Sequence, residues 1–317
     1  MSDQLKFPKF STIPVSTKTY TAMTNLTINI RELYEFLPIT PYTVIPKKRG
    51  RKKKGSKCNP NKNVQPGSII TIKCEGEMRG VELNPKKKKA KKWFRNSITV
   101  VIIIDKPINF KVCRNGTFQM TGCKHHNHAE QCVKYLWNYI KDSPHLFTFT
   151  RLEPNLEVLF IPSMRNIDFS LGFLVDRSKL NKYMSHQDKF HCLLETSFGY
   201  TGVNIKIPLK EDLEKMKIKK LIFSQNEWTE KQTIYQEYLD LLGKKERKAK
   251  LSNKRYNTFL VFHSGSCIMS GLTREFMEPV YEYFINLIRK GYDEIEERLD
   301  TTSQGLSLEE ELAVMLG

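Results

Sequence analysis

Apolar positions along this chain follow two periodicities that take turns. The run Val100 to Ile104 is continuously apolar and β-branched, and has the length of a buried strand. The stretches Phe110 to Gly122 and Phe259 to Gly271 alternate apolar and polar residues about a central glycine, as two strands joined by a tight turn do. Asn115-Gly116 is a strong hairpin signal and Ser264-Gly265 a weaker one. Behind each hairpin the period lengthens to that of a helix. Val133, Leu136, Trp137 and Ile140 share one helical face after the first hairpin. Val280, Tyr281, Phe284, Leu287 and Ile288 do so after the second. The pattern predicts an α+β protein.

The two hairpins are the same length and match in register at Phe, Val, Gly, Met and Gly, 149 positions apart (259 − 110). The segments upstream match as well. Ser16 to Leu26 precedes Asn29 to Leu37, and Ser163 to Phe173 precedes Asp176 to Met184, 147 positions apart (163 − 16). Asn29 and Asp176 stand where helix N-caps belong, and Asn29 with Glu32 has capping-box spacing. Two registers at nearly one offset predict an internal duplication, each copy reading strand, helix, strands, hairpin, helix.

That reading divides the chain. Residues 1–14 form an N-terminal extension, 15–145 the first repeat, 146–154 a linker, 155–292 the second repeat and 293–317 an acidic C-terminal tail. Lysine-rich insertions at 46–66 and 84–95 interrupt the first repeat; the former, rich in Gly, Ser, Asn and Pro, reads as disordered. The insertion at 209–254 interrupts the second, with a helix expected from Trp228 to Leu242.

Charge narrows the function. A net charge of +18 over 317 residues points to a polyanionic partner, nucleic acid before any other. With 39% hydrophobic residues the chain can bury a core, and its longest apolar run is far too short to span a bilayer. Seven cysteines without a C-x-x-C spacing, and no apolar leader after Met1, read as a reduced, intracellular chain. Paired carboxylates, a glycine-rich phosphate loop and nucleophile–base spacing are not seen, so neither an enzyme nor a small-molecule substrate is expected. His191 and Cys192 read as packing residues. Cys123-Lys-His125-His126-Asn-His128 with Cys132 has the residue types of a zinc site. The second repeat carries Leu272-Thr273-Arg274-Glu275 at that place, so the stretch reads as a junction without metal or cofactor. Arg49-Gly50-Arg51 reads as a solvated basic loop rather than a groove-binding hook, because Lys52 stands where that motif has proline.

Val261-Phe262-His263-Ser264-Gly265 with Ser270-Gly271, and more loosely Val112 to Gly116 with Thr121-Gly122, resemble the hairpin of the TATA-box-binding protein core. Phe198 to Pro208 resembles that family's strand running from an intercalating Phe to a Pro, with Ser97 to Pro107 as the first-repeat counterpart. The large lysine-rich insertions are similar to those of divergent versions carried by large DNA viruses, which implies a viral factory in the host cytoplasm, a virion or the nucleus as the place of action. The resemblance implies a pseudo-symmetric, saddle-shaped antiparallel sheet with helices on its convex face. It also implies a general transcription initiation factor that bends A·T-rich double-stranded DNA through the minor groove and recruits transcription factors or RNA polymerase subunits. The groove offers only A N3 and T O2 acceptors at A·T pairs, and wedges between base steps kink the duplex.

The residues transferred by that resemblance are uneven between the repeats. Phe198 and Phe262 take the wedge positions of the second repeat, whereas Ser97 and Cys113 stand at those of the first. Trp93 and Phe94 lie near enough in sequence to substitute. Thr121 and Ser270 match the groove-facing hydroxyl before the last hairpin glycine, and Asn166 with Thr19 stands for the central polar pair. Lys86, Lys87, Lys88, Lys89, Lys91, Lys92 and Arg95 are candidates for phosphate contact. The competing expectation is a saddle-fold protein-interaction scaffold that binds nucleic acid only non-specifically.

Overall fold

The computed structural model describes residues 6–44, 60–83, 94–125, 127–151, 154–187, 190–194, 202–209 and 212–298. Strands β1 (Val15–Thr24) and β2 (Leu26–Ile28) lead into helix α1 (Ile30–Phe36). There follow β3 (Ile69–Cys74), β4 (Glu77–Gly80), β5 (Ser97–Ile103), β6 (Pro107–Cys113), β7 (Thr117–Cys123), α2 (Asn127–Ile140) and β8 (Phe147–Phe149). The second half holds β9 (Leu156–Ser170), α3 (Arg177–Ser185), β10 (His191–Leu194), β11 (Gly202–Pro208), β12 (Lys217–Ser224) and β13 (Glu227–Ile234). It continues with α4 (Tyr235–Asp240), α5 (Lys244–Ser252), β14 (Tyr256–Phe262), β15 (Ser266–Gly271), α6 (Arg274–Lys290) and α7 (Tyr292–Ile295).

Thirteen strands join in one sheet, whose main path runs β10-β11-β14-β15-β9-β1-β7-β6-β5-β3-β4. Every pairing within it is antiparallel, and β2 pairs separately with β8. The chain is an α+β protein built on a large antiparallel sheet.

Outward from the β1–β9 pair, each half makes the same backbone contacts. The Ile28 amide donates to the Arg114 carbonyl and that of Val175 to His263; the Gly116 amide donates to Cys113 and that of Gly265 to Phe262. Asn29 caps α1 by accepting from the Glu32 amide, and Asp176 caps α3 by accepting from Ser178 and Lys179. The hairpin glycines explain themselves physically. Gly116 and Gly265 sit at φ of +71° and +75°, where a Cβ would lie 2.2 Å from the carbonyl oxygens of Leu26 and Phe173 respectively. Both the left-handed backbone and the close approach exclude a larger residue. Gly265→Ala is expected to cost about 1–3 kcal/mol through that strain, read as a lower urea midpoint; an unchanged midpoint would contradict this close packing of the turn.

Among the described residues, three apolar clusters form the interior. Beneath α1 and α2 lie Ile72, Val100, Phe110, Phe118 and Met120 with Leu136 and Trp137. Beneath α3 and α6 lie Ile167, Val203, Ile205, Phe259, Val261 and Met269 with Tyr281 and Phe284. Phe10, ahead of β1, packs on Tyr281, whose hydroxyl donates to the Pro8 carbonyl at 2.6 Å. At the other end of the chain, Ile295 is fully buried and its carbonyl accepts from the Asp176 amide. α7 therefore anchors the start of the acidic segment onto α3, and residues 299–317 lie outside the described residues.

The insertion departs from its sequence reading. Trp228 to Ile234, expected as the start of a helix, is strand β13, and helix α4 begins only at Tyr235. Gln225 and Asn226, with φ of +51° and +64°, make the two-residue turn that pairs β13 with β12. The β12 strand in turn pairs with β9 from Leu156 to Phe160, so the hairpin extends the sheet. The apolar residues at helical spacing, Tyr235, Tyr238, Leu239 and Leu242, begin only after β13.

Candidate nucleic-acid interface

Side chains alternate between the faces of a strand, so the residues between the core positions define the face that α2 and α6 do not cover. On β6 and β7 these are Asn109, Lys111, Cys113, Thr117, Gln119 and Thr121; on β14 and β15 they are Thr258, Leu260, Phe262, Ser266, Ile268 and Ser270. The central strands add Thr17, Thr19 and Thr21 from β1 and Met164, Asn166 and Asp168 from β9. This open face is therefore a sheet surface of small hydroxyls and apolar groups, with Lys73, Lys111 and Lys206 on it. Asp168, exposed and accepting from the Ser16 hydroxyl at 3.0 Å, puts an acid on the same face.

The sequence-derived residues fall on this face where they are described. Thr121 pairs with Asn109, and Ser270 pairs with both Thr258 and Asn166. Asn166 is half-buried with an unpartnered Oδ1 and lies across from Thr17, whereas Thr19 lies across from Met164. Phe262 ends β14 half-buried, opposite Gly202. Phe198, Trp93 and Lys86 to Lys92 lie outside the described residues, as does Arg49-Gly50-Arg51. Arg95 is exposed in the turn before β5.

Register corrects one assignment. Cys113 pairs with Ser97, and its counterpart Phe262 pairs with Gly202, so Gly202 is the counterpart of Ser97. Counting back the same four positions along the sequence from each makes Trp93, not Ser97, the counterpart of Phe198. Next to it, Phe94 is 66% exposed, and the Lys111 ammonium stands 3.6 Å from its ring centroid. The first half thus carries an aromatic side chain at the end of its open face. Sequence reading missed Lys111, Leu260 and Ile268, although their parity relative to Phe110, Phe259 and Met269 would have found them.

The insertion reaches both faces of β9. Phe223 packs on Trp137 on the helix side, while Tyr235, Tyr238 and Leu239 pack on Leu159 and Ile161, which point the opposite way. Lys220 bridges Glu157 of β9 and Glu237 of α4 at 3.3 and 2.7 Å. Helix α4 therefore covers the start of β9 on the open-face side, and Arg247 with Asp240 ties α5 to its end at 3.0 Å.

On the helix side a cavity between the two halves is lined by Lys18, Arg165, Lys219, Glu130, Arg274 and Glu275. Lys18 and Arg165 face each other across β1 and β9. Burial, then repulsion by Arg165, pulls the Lys18 ammonium below its usual range, and burial does the same to Arg165. Burial pushes the thiols of Cys123 and Cys192 up to about 11 and that of Cys132 well above the normal value. Cys123 and Cys132 lie in the first core cluster, while Cys192 packs against the second.

No protein-family profile matches the chain. Over 203 residues it is 29% identical to uncharacterized protein 335L of Invertebrate iridescent virus 6, covering 60% of this chain and 59% of that one. Over 156 residues it is 33% identical to a TATA-box-binding protein-like protein of Acanthamoeba polyphaga mimivirus, covering 40% of each. This chain is a divergent relative of a viral TATA-box-binding protein-like protein. It spans less than two thirds of the length of the curated relatives it matches. Among solved structures, the TATA-box-binding protein of Methanococcus jannaschii aligns with 89% of this chain and 99% of its own, at a TM-score of 0.42 and 11% identity. Among the described residues no helix is long and apolar enough to cross a membrane.

Proposed function

We propose that this protein is a two-repeat saddle that binds A·T-rich duplex DNA in the minor groove through its open face, bends it, and holds transcription machinery on its helix side. On this reading it catalyses no reaction. The observation that carries it is the open face itself, a run of Thr, Ser and apolar side chains on both halves that α2 and α6 leave uncovered, with α4 over the start of β9 alone. A minor groove at A·T pairs presents acceptors and sugar surface, which hydroxyl donors and apolar contacts suit and carboxylates do not. Aromatics belong at the ends of such a face, where the half-buried Phe262 and the exposed Phe94 stand. Equal backbone contacts in the two halves support the tandem arrangement, and the net charge of +18 supports a polyanionic partner.

Helix α5 fits this reading as a backbone contact. It buries no residue, carries Lys244, Lys245, Arg247, Lys248 and Lys250, and is tied to α4 on the open-face side. Changing Lys244, Lys245 and Lys248 to Gln is expected to flatten the slope of log affinity against log salt by roughly 2 to 3. An unchanged slope would remove α5 from the interface.

A mobility-shift comparison of A·T-rich and G·C-rich duplexes at two salt concentrations tests the function. The proposal expects the A·T-rich duplex to bind about tenfold tighter or better, with the ratio maintained as salt rises. Equal affinities that fall together with salt would instead favour a protein-interaction scaffold that touches nucleic acid non-specifically.

A further inference from the structure

The histidines at the start of α2 are set aside in the sequence because the second repeat has no ligands at the matching place, Leu272-Thr273-Arg274-Glu275. The residue that changes their chemistry is Asp105, in the turn between β5 and β6. His128, only 2% exposed, aims Nε2 at Asp105 Oδ1, 3.2 Å away. The exposed His125 ring packs edge-on against it with centroids 5.0 Å apart. One ligand atom from each of Asp105, His125 and His128 lies within 4.8 Å of the others. The same cavity is lined by Gln131, one turn along α2 from His128, whose buried Oε1 has no partner.

We propose that Asp105, His125 and His128 form a binding site for a divalent transition-metal ion of the zinc class, with Gln131 Oε1 or water completing its shell. Two imidazoles and a carboxylate are a ligand set such ions accept, and ligands about 2.0–2.1 Å from a tetrahedral ion stand roughly 3.3 Å apart. His128 Nε2 and Asp105 Oδ1 already stand at 3.2 Å, and bringing the third ligand atom to that spacing requires rotation of His125, an exposed side chain. The ion takes the place of the proton that His128 Nε2 now shares with the Asp105 carboxylate. That proton leaves to water, and the neutral ring takes one up on Nδ1, which now accepts from the Lys124 amide, so that 3.4 Å contact opens. In effect the ion staples the β5–β6 turn to the start of α2. The matching turn of the second half, between β11 and β14, holds the insertion instead, which accounts for a metal site on one side only.

Calorimetric titration of the full chain with Zn2+, paired with thermal unfolding, tests this. The wild type is expected to take up one ion and to melt at a higher temperature when loaded. His125→Ala removes an exposed ligand without opening the core, and is expected to weaken binding at least about tenfold and abolish the shift in melting temperature. Asp105→Asn is expected to act the same way. Co2+ in place of Zn2+ should give visible d–d bands without a sulfur-to-metal charge-transfer band. Failure of the wild type to saturate with one ion, wild-type affinity in His125→Ala, or a thiolate band would each overturn the site.

Discussion

Replacing Phe262 with alanine is expected to remove at least half of the bend that the proposed function assigns to an A·T-rich duplex, while non-specific affinity stays within about twofold. The two quantities separate because different groups supply them. Non-specific affinity comes from lysines and arginines that neutralise phosphates, and none of these changes. The kink costs a few kcal/mol of unstacking, which an aromatic ring inserted at the base step offsets. Phe262 ends β14 on the open face, opposite Gly202, where no helix covers it. Its loss should therefore show as a smaller change in energy transfer across an end-labelled duplex. Phe94→Ala and Trp93→Ala form the corresponding pair for the first half. An unchanged bend in Phe262→Ala would reject the wedge assignment.

The second large effect comes from the same strand three residues earlier. Phe259 points to the helix side, is fully buried, and stacks on Phe284 of α6 with ring centroids 4.0 Å apart and planes 14° apart. Phe259→Ala leaves a cavity under α6 and is expected to cost about 3–5 kcal/mol, a large share of the stability of an ordinary domain. Urea unfolding reads this directly. Phe262→Ala, by contrast, removes a side chain from an uncovered face and should cost about 1 kcal/mol or less. If the two costs were equal or reversed, the assignment of faces on β14 would be inverted, and with it the candidate interface. Each variant thus controls for the other.

What could be read from the sequence was what short-range stereochemistry dictates. Gly116 and Gly265 marked their hairpins because those turns need positive φ, and Asn29 and Asp176 marked helix starts because a side-chain oxygen satisfies free amides there. What could not be read depended on partners distant in the chain. Trp228 to Ile234 has only its two ends apolar, too weak a pattern to fix an element, and its pairing with β12, itself paired with β9, makes it a strand. The assignment of Ser97 as the counterpart of Phe198 followed a false landmark. Pro107 begins β6 whereas Pro208 ends β11, so aligning the prolines displaced the register by four residues. That shift is even, so it exchanges positions on one face of the strand and displaces only the wedge position along it. Asp105 had no local signal at all, because a whole hairpin separates it from His125 and His128.

The most direct test of the central claim is energy transfer between the ends of an A·T-rich duplex titrated with the wild-type chain, against a G·C-rich duplex of equal length. A minor-groove saddle predicts that the A·T-rich ends draw together at saturation, that the G·C-rich ends do so far less, and that the difference persists when salt is raised. Saturable binding with the end-to-end distance unchanged in both duplexes would contradict it.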